Sequence, residues 1–354
     1  MVFRFLSLTI GLFFLAACST SAPTVRSPIT FDSLIAETDK PMYFQKSCRY
    51  FSTDLKVLRA LPGQYCAETE NGIAIADSNG IVSMGSNLKP RWRVKKFYTH
   101  HQLNESEVGT ELLALNSVYS PGGRARDLTP IRHDRLTVLN KRGKIIKNFN
   151  IEKYITEKSD IQIRKNDWTA DQFNKNSFEA THINSFRELF SEADGVRTLT
   201  GYVTYDLQHE KVIILDAGLK NVVRVIDFHG RVIHDVRQYG ENVLIYFLNE
   251  NIEEPMPRQS KIETYNLLTN EFKTLYQSEN VKIVYSNCGA VVPIEKKYLF
   301  INYSRCKVDA TNAPTTSYFE MVNLATQQSV LAQSEKEIFG TGVSVVRQLP
   351  NFVF

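Results

Sequence analysis

The strongest constraint on the fold is a repeated pattern of two strand-like segments joined by a short polar turn. Each copy has an apolar segment, a turn that begins with Asn or Asp, and a second segment of alternating character. Asx-x-x-Gly between such segments is typical of hairpins, because the Asx side chain caps the turn and Gly accepts a positive φ. The copies, two of them looser, are GIAIADSNGIVSM (72–84), DRLTVLNKRGKIIKNF (134–149), NVVRVIDFHGRVIHDV (221–236), SKIETYNLLTNEFKTLY (260–276) and SYFEMVNLATQQSVLAQ (317–333).

Further strand-like segments precede several of these hairpins, which predicts sheets of four strands. Repeated four-stranded units at irregular spacing favour propeller blades over a sandwich. We therefore expect an all-β chain folded as a six-bladed β-propeller over residues 46–354. The sixth blade would be closed by the C-terminal GVSVVRQLPNFVF together with strands near Tyr65. Residues 151–180 are polar and partly helical in character, and we expect them to form an insertion that acts as a lid or outer flap.

The N-terminal segment predicts export. Residues 1–17 have one early cation, Arg4, followed by an apolar core, as in a secretory signal. The end of the segment, Leu15-Ala-Ala-Cys18, resembles the lipobox of bacterial lipoproteins, in which Cys18 would carry the lipid. The alternative is an ordinary secreted protein cut after Ala17. Ser19 after the cysteine implies, by the same resemblance, an outer-membrane anchor facing the periplasm. Residues 18–45 would then be the lipidated Cys and a flexible tether, beginning STSAPTVRSPIT after the cysteine.

Four further cysteines remain, and an oxidising compartment predicts that they form disulfides. Of the three possible connectivities, pairing of sequence neighbours is preferred because each neighbour pair flanks a turn-containing segment. A zinc site is the weaker alternative, since no CxxC spacing occurs. The predicted bridges are Cys48–Cys66 and Cys288–Cys306.

The composition excludes few classes of function. It gives no reason to expect a nucleic acid partner, because the formal net charge is only +4. The basic run Lys89–Lys96 alternates like a strand and is interpreted as a solvated face. No phosphate-binding loop, dinucleotide fingerprint or nucleophile elbow is present in the sequence.

Histidine motifs at the start of three repeat units are the candidate site. They are Tyr98-Thr-His-His-Gln102, Thr181-His-Ile-Asn184 and Ile233-His-Asp235, and each precedes or begins an apolar strand. The first strand of a propeller blade lines the central channel, so the three motifs would converge. Neutral imidazole is a nucleophile, and a second imidazole with an amide N–H stabilises a developing anion. Asp235 is not expected to contact His234, because adjacent strand residues face opposite sides. The three other histidines, which we expect at the surface, are His133, His209 and His229.

Together these motifs resemble the bacterial arylsulfate sulfotransferases, six-bladed propellers that transfer sulfate between phenols. The resemblance covers about Ile73 to Val330. It rests on THHQL (99–103), His182-Ile-Asn-Ser185, His234-Asp235 and the hairpin SKIETYNLLTNEFKTLY. It implies ping-pong sulfuryl transfer between small aromatic sulfates and phenols, without a cofactor or a metal.

The resemblance also implies roles for the motif residues. His234 would be the nucleophile, His182 and Asn184 would bind sulfate oxygens, and His101 or its neighbour His100 would be the remaining polar contact. The family carries an arginine after the His-x-Asn motif, but Gly218 occupies that position here, which leaves Lys220 and Arg197 as candidate cations. By this resemblance we expect the family's N-terminal sandwich domain to be missing or much reduced in this sequence, and we therefore expect a monomer.

Two other functions fit the same sequence. A non-catalytic lipidated propeller would bind a protein or glycan of the cell envelope through its edges or loops. A hydrolase would use the same centre on sulfate or phosphate esters with water as the acceptor.

Overall fold

The computed structural model describes residues 43–46, 48–51, 57–61, 65–69, 72–77, 80–85, 87, 89–107, 111–120, 131–151, 164–165, 178–248, 260–278, 289–303, 318–333 and 343–346. These residues form 26 strands. Among them no helix is long and apolar enough to cross a bilayer. The predicted signal segment, Cys18, most of the tether, Cys288 and Cys306 lie outside the described residues.

The strands follow one another along the chain in consecutive groups. The first seven are β1 (Tyr43–Lys46), β2 (Arg49–Phe51), β3 (Val57–Ala60), β4 (Tyr65–Thr69), β5 (Gly72–Asp77), β6 (Gly80–Gly85) and β7 (Pro90–Lys95). The next six are β8 (Tyr98–Glu105), β9 (Glu111–Ser120), β10 (Ile131–Asn140), β11 (Ile145–Asn150), β12 (Arg164–Lys165) and β13 (Phe178–Glu179).

The remaining strands continue in groups of four. They are β14 (Ile183–Ala193), β15 (Val196–Asp206), β16 (Lys211–Asp216), β17 (Val222–Asp227), β18 (Ile233–Gly240), β19 (Val243–Leu248), β20 (Lys261–Asn266), β21 (Phe272–Gln277), β22 (Ala290–Ile294), β23 (Tyr298–Tyr303), β24 (Tyr318–Asn323), β25 (Ser329–Gln333) and β26 (Val343–Val346).

Six sheets result, and five of them have four strands. Four are simple antiparallel meanders: β4 to β7, β14 to β17, β18 to β21 and β22 to β25. The predicted all-β fold built from antiparallel four-stranded sheets of propeller type is confirmed. The sheet that contains β8 to β11 has six strands, because β13 pairs in parallel with the start of β10 and β12 pairs with β13.

The first sheet joins the two ends of the described chain. β26 pairs antiparallel with β1, so the C-terminal segment closes the fold, as predicted. Its partner is the strand at Tyr43–Lys46 and not a strand near Tyr65, which lies in the next sheet. The predicted Cys48–Cys66 disulfide is present and links this closing sheet to β4.

The turn pattern correctly predicted most of the hairpins, but one predicted hairpin is not present in the structure. β5–β6, β10–β11, β20–β21 and β24–β25 are hairpins as expected. In NVVRVIDFHGRVIHDV, however, the turn connects β17, the last strand of one sheet, to β18, the first strand of the next. The same turn chemistry serves both connections, because a local turn does not specify which partner the following strand takes.

The hydrophobic core is divided among the spaces between consecutive sheets. One cluster joins Leu136 of β10 to Phe186 of β14, and another joins Val212 of β16 to Leu244 of β19. Similar clusters lie between each further pair of consecutive sheets from β1 to β25. Middle strands such as β16 and β19 are buried along almost their whole length, which explains their continuous apolar sequences.

Outer strands alternate between exposed and partly buried residues. In β7 the basic run Lys89–Lys96 shows this alternation, so its interpretation as a solvated face is confirmed. The last residues of the predicted insertion, β13 and Ala180, return to the start of β10, where the Ala180 N–H donates to the Arg132 carbonyl. The insertion therefore leads directly into the motif Thr181–Asn184.

Candidate functional site: a histidine cluster at three strand bulges

Each of the three histidine motifs coincides with an irregularity in the first strand of a sheet. In β8, pairing with β9 is interrupted between Thr99 and Leu103. In β14 and in β18 the register also shifts near the first residues. Bulges break the alternation of side chains and re-aim residues, and they are frequent beside active sites. The residues that the bulges leave out of regular pairing are His100, His101, Gln102, Asn184, His234 and Asp235.

The imidazole rings from these motifs lie close together. The ring centroids of His100 and His101 are 5.0 Å apart, and those of His101 and His182 are 5.3 Å apart. His234 is near enough to influence the pKa of His101, and His182 influences the pKa of His234. His101 has φ of 55°, a left-handed conformation that is uncommon for a non-glycine residue. The predicted convergence of the histidines is therefore present in the structure.

Three of these histidines are neutral at physiological pH. Burial lowers the pKa of His234 to about 3, and the neighbouring His182 contributes to the shift. Burial also lowers the pKa of His100 and of His101 well below the usual value, with further contributions from the other rings and from Arg132. A neutral imidazole keeps one nitrogen lone pair, so each ring retains one nucleophilic or basic atom.

A fully buried carboxylate connects two of the motifs. Asp134 Oδ1 lies 2.8 Å from His100 Nε2. Its Oδ2 accepts hydrogen bonds from the Ile183 N–H at 2.7 Å and from Thr181 Oγ1 at 3.1 Å. The side chain of Asp134, from the third strand of its sheet, thus holds the bulge of β8 against the start of β14.

A second buried carboxylate holds the backbone of His182. Asp206 Oδ1 accepts a hydrogen bond from the His182 N–H at 3.0 Å, and Asp206 Oδ2 lies 2.5 Å from His209 Nδ1. His182 itself precedes β14, so it lies outside the regular strand that contains Asn184. Asp134 was not identified in the sequence, although a carboxylate within an apolar strand was a usable signal.

Arg132 is a buried cation beside His100 and His101, and no sequence pattern pointed to it. Its side chain is only 2% exposed, and Nη2 lies 4.0 Å from Asp134 Oδ1. Its positive charge contributes to the lowered pKa of His100 and His101. Arg132 comes before the His-x-Asn motif in the sequence, whereas the family resemblance directed attention to cations that come after it.

The two cations that the sequence analysis proposed lie elsewhere. Arg197 pairs with Glu107 and stacks on the ring of Phe190. It faces Glu192 in the β14–β15 register, eight residues beyond Asn184, which corresponds to about 25 Å along a strand. Lys220 is exposed in the turn between β16 and β17. Neither placement fits substrate binding at the histidine cluster.

Asn184 is buried between elements of the cluster. Its side chain is 3% exposed, and neither amide atom has a hydrogen-bond partner among the described residues. The preceding Ile183 N–H binds Asp134, and the following Ser185 Oγ accepts from the Val236 N–H at 3.3 Å. Because an unpaired buried amide costs free energy, such a group is expected to pair with a ligand or water.

Asp235 belongs to a buried ion cluster beside His234. It receives two hydrogen bonds from Arg187, at 3.0 and 3.1 Å, and further ones from Arg237 at 2.7 Å. Its charge also acts on His234, where it opposes the lowering of the pKa. The interaction between the two residues is electrostatic, and the expectation that they make no direct contact stays a prediction.

The remaining histidines divide between surface and interior. His229 is exposed, as expected. His133 is only 2% exposed, and burial lowers its pKa to about 4. His209 is largely buried beside Asp206. The expectation of surface positions is therefore wrong for His133 and His209. Within the described part of the chain, no group of three or more His, Cys, Asp or Glu side chains is arranged to hold a metal ion.

Comparisons with known proteins add little. No protein family and no curated protein matches the sequence. Among solved structures, hydrazine synthase of Kuenenia stuttgartiensis is 10% identical with a TM-score of 0.40, over 75% of this chain and 64% of that chain. The Pan2 WD40 domain of Neurospora crassa is 10% identical with a TM-score of 0.40, over 86% of this chain and 89% of that one.

A putative TolB of Agrobacterium tumefaciens is 7% identical with a TM-score of 0.39, over 83% of this chain and 89% of that one. The chain thus spans less than two thirds of the hydrazine synthase chain. Similarity at these values carries no information about substrate or activity.

Proposed function

We propose that this chain is an enzyme resembling arylsulfate sulfotransferases, which moves a sulfuryl group from a phenolic sulfate ester to a phenol through His234. One observation carries the proposal. The imidazoles of His101, His182 and His234, which come from three different sheets or their entries, lie together, and the buried guanidinium of Arg132 acts on the ring of His101. A sulfate ester needs a nucleophile, donors for its oxygens and a positive charge, and these residue types supply all three.

In the first half-reaction, a lone pair on one ring nitrogen of His234 attacks sulfur. An S–N bond forms, the ester S–O bond breaks, and the phenolate leaves with the bonding electrons. The low pKa of His234 keeps its ring unprotonated throughout the physiological range. The amide of Asn184, buried without a partner among the described residues, suits a sulfuryl oxygen.

In the second half-reaction, the oxygen of the acceptor phenol attacks the same sulfur. The S–N bond breaks, and His234 recovers its lone pair, so the enzyme returns to its starting state. The acceptor loses its hydroxyl proton, and the first phenolate gains a proton in solution. The buried charge of Arg132 would offset the negative charge of the group in transfer and would serve in place of the arginine expected after the His-x-Asn motif.

The proposal includes the setting of the site. The six sheets would be six blades, with β12 and β13 added to the edge of the blade formed by β8 to β11. The lipobox-like Leu15–Cys18 would anchor the protein to the outer membrane facing the periplasm. This compartment is oxidising, which fits the Cys48–Cys66 disulfide. Small aromatic sulfates and phenols would be the partners, and the protein would act as a monomer.

The test is a transfer assay with the full chain, a fluorogenic aryl sulfate and increasing concentrations of a phenol acceptor. Wild type should release the fluorophore at a rate that depends on the phenol. His234→Ala should abolish this release, whereas His229→Ala should not, because His229 is exposed in a turn. Release that does not depend on the acceptor would indicate a sulfatase. No release from a folded wild-type protein would reject the proposal.

A non-catalytic binding role is the second candidate, and exposed apolar residues on the outside of two sheets favour it. Val223 of β17 is 66% exposed, and Leu268 in the turn after β20 is 72% exposed. Arg224, next to Val223, hydrogen-bonds to the Leu267 carbonyl and to Asn270, which flank Leu268. Val223 and Leu268 therefore lie on adjacent parts of the surface. A folded protein without transfer activity would make this candidate the leading one.

A further inference from the structure

We propose that His100 is the general base that takes the proton of the acceptor hydroxyl, and that Asp134 is the residue that positions it. This inference rests on the proposed sulfuryl transfer, and it assigns a step that His234, His182 and Asn184 do not cover. An acceptor phenol attacks sulfur well only as its proton leaves, so the second half-reaction needs a base beside the nucleophile's position.

The contact with Asp134 assigns the tautomer of His100. His100 Nε2 and Asp134 Oδ1 are 2.8 Å apart, although their approach is too bent for a well-directed hydrogen bond. A carboxylate oxygen and a bare imidazole nitrogen would repel each other at this distance. The proton of the neutral ring therefore lies on Nε2, and the lone pair lies on Nδ1.

The lone pair on Nδ1 is available for a proton. His100 Nδ1 is buried and has no hydrogen-bond partner among the described residues. The ring contacts His101, which in turn contacts His182, so His100 borders the cluster. An unpartnered basic nitrogen in a buried cluster of this kind suits a substrate hydroxyl, because a permanent protein partner would block proton transfer.

Asp134 is itself held against rotation. Its Oδ2 accepts hydrogen bonds from the Ile183 N–H and from Thr181 Oγ1, while its own N–H donates to the same Thr181 oxygen at 3.1 Å. The side chain is fully buried. Arg132 at 4.0 Å favours the ionised carboxylate, and an ionised carboxylate stabilises the imidazolium that forms when His100 takes a proton.

In the second half-reaction, every proton and bond is accounted for by the acceptor, His100 and His234. The acceptor hydroxyl gives its proton to His100 Nδ1 while its oxygen forms the new S–O bond. The S–N bond to His234 breaks, and its electron pair returns to the His234 ring. His100 then releases the proton to solvent, which replaces the proton that the first phenolate took up there, and the ring becomes neutral again.

The experiment compares wild type, His100→Gln and the control His229→Gln with two acceptors in the full chain. One acceptor is unsubstituted phenol, and the other is a nitrophenol that is already ionised at the assay pH. His100→Gln should keep the first release of fluorophore and lose roughly 10²- to 10⁴-fold in transfer to phenol. Transfer to the nitrophenolate should stay near wild type, because this acceptor has no proton to remove.

The positioning role of Asp134 has its own measurement. In Asp134→Asn the side-chain amide presents its N–H₂ or its oxygen to His100, so the ring no longer has a single preferred tautomer. Nitrogen NMR of the labelled imidazole should show the proton on Nε2 in wild type and a change in Asp134→Asn. An unchanged tautomer would overturn the role of Asp134 whether or not the protein is active.

The possible results separate this inference from the function beneath it. Equal losses with phenol and nitrophenolate, with the first release intact, would overturn His100 as the base and leave sulfuryl transfer standing. No release by the wild type would reject the transfer reaction, and the base with it. A loss confined to phenol would support both.

Discussion

The rings of His101 and His182 lie 5.3 Å apart, although they come from the first strand of one sheet and from the entry to the first strand of the next. If β8 kept regular pairing, the side chain of His101 would not be expected to reach His182. His101 reaches this position through a bulge and a left-handed backbone, and His182 through a backbone hydrogen bond to buried Asp206. The site is therefore a product of irregular backbone at the sheet entries.

The buried histidines should make the protein less stable at acid pH. The pKa values of His100, His101 and His234 lie below the unfolded value near 6.5, so below this pH the unfolded chain binds protons that the folded chain does not. Each such histidine lowers the free energy of unfolding by about 1.4 kcal/mol per pH unit below 6.5, as far as its folded pKa.

Glu68 opposes this trend, because its pKa is raised to about 7 and its protonation favours the folded state as pH falls. The prediction is therefore tested by comparing how much stability the wild type and a histidine variant lose over the same pH range. Urea denaturation of wild type and His234→Asn between about pH 7 and about pH 5 should show a smaller loss of stability in the variant. His229→Asn is the control, and identical pH profiles for all three proteins would contradict the prediction.

Removing Asp235 should destabilise the fold far more than removing an exposed acid. Asp235→Ala leaves the buried guanidiniums of Arg187 and Arg237 facing each other, and the expected cost is about 3–5 kcal/mol. Glu107→Ala breaks a pair with Arg197 in which both side chains are about half exposed, with an expected cost of about 0–1 kcal/mol. Chemical denaturation measures both, and equal losses would show that the ion cluster contributes nothing specific.

Two glutamines should stabilise the contacts between neighbouring first strands. Gln102 of β8 binds both the N–H and the carbonyl of Phe186, and Gln238 of β18 binds both groups of Phe190. Replacing either glutamine by alanine leaves a backbone donor and acceptor of β14 unpaired, at an expected cost of about 1–3 kcal/mol.

Denaturation midpoints of Gln102→Ala and Gln238→Ala test this prediction. Gln328→Ala, in the turn before β25, is the matched control and should have little effect. If the control variant loses as much stability as the other two, the contacts to Phe186 and Phe190 are not responsible.

The Cys48–Cys66 disulfide should stabilise the closing sheet. The cysteines are 18 residues apart, and closing a loop of this size in the unfolded chain contributes about 3 kcal/mol. Reductant should lower the denaturation midpoint of wild type, and Cys48→Ala/Cys66→Ala should already have the lower midpoint. Any sensitivity to reductant that remains in the double variant would report the other predicted bridge, Cys288–Cys306. A wild-type midpoint unaffected by reductant would refute the stabilising role.

Local sequence determined which segments form strands and most of the hairpins, because alternating apolar residues and Asx-initiated turns act over a few residues. It also marked His101, His182 and His234, since each motif stands at the start of a repeat unit. The turn Asp227–Gly230 shows the limit of such patterns, because its chemistry is the same whether the next strand joins the same sheet or a new one.

Tertiary structure alone decided which charges reach the histidines. Arg132 and Asp134 belong to β10, the third strand of its sheet, and they meet His100 and Thr181 only because the bulge of β8 and the entry to β14 pack there. Lys220 and Arg197 looked equally suitable in the sequence but lie in an outer turn and near the far end of β14. Electrostatic partners depend on distances of a few ångströms between segments far apart in the chain, and these distances follow from the packing of whole sheets.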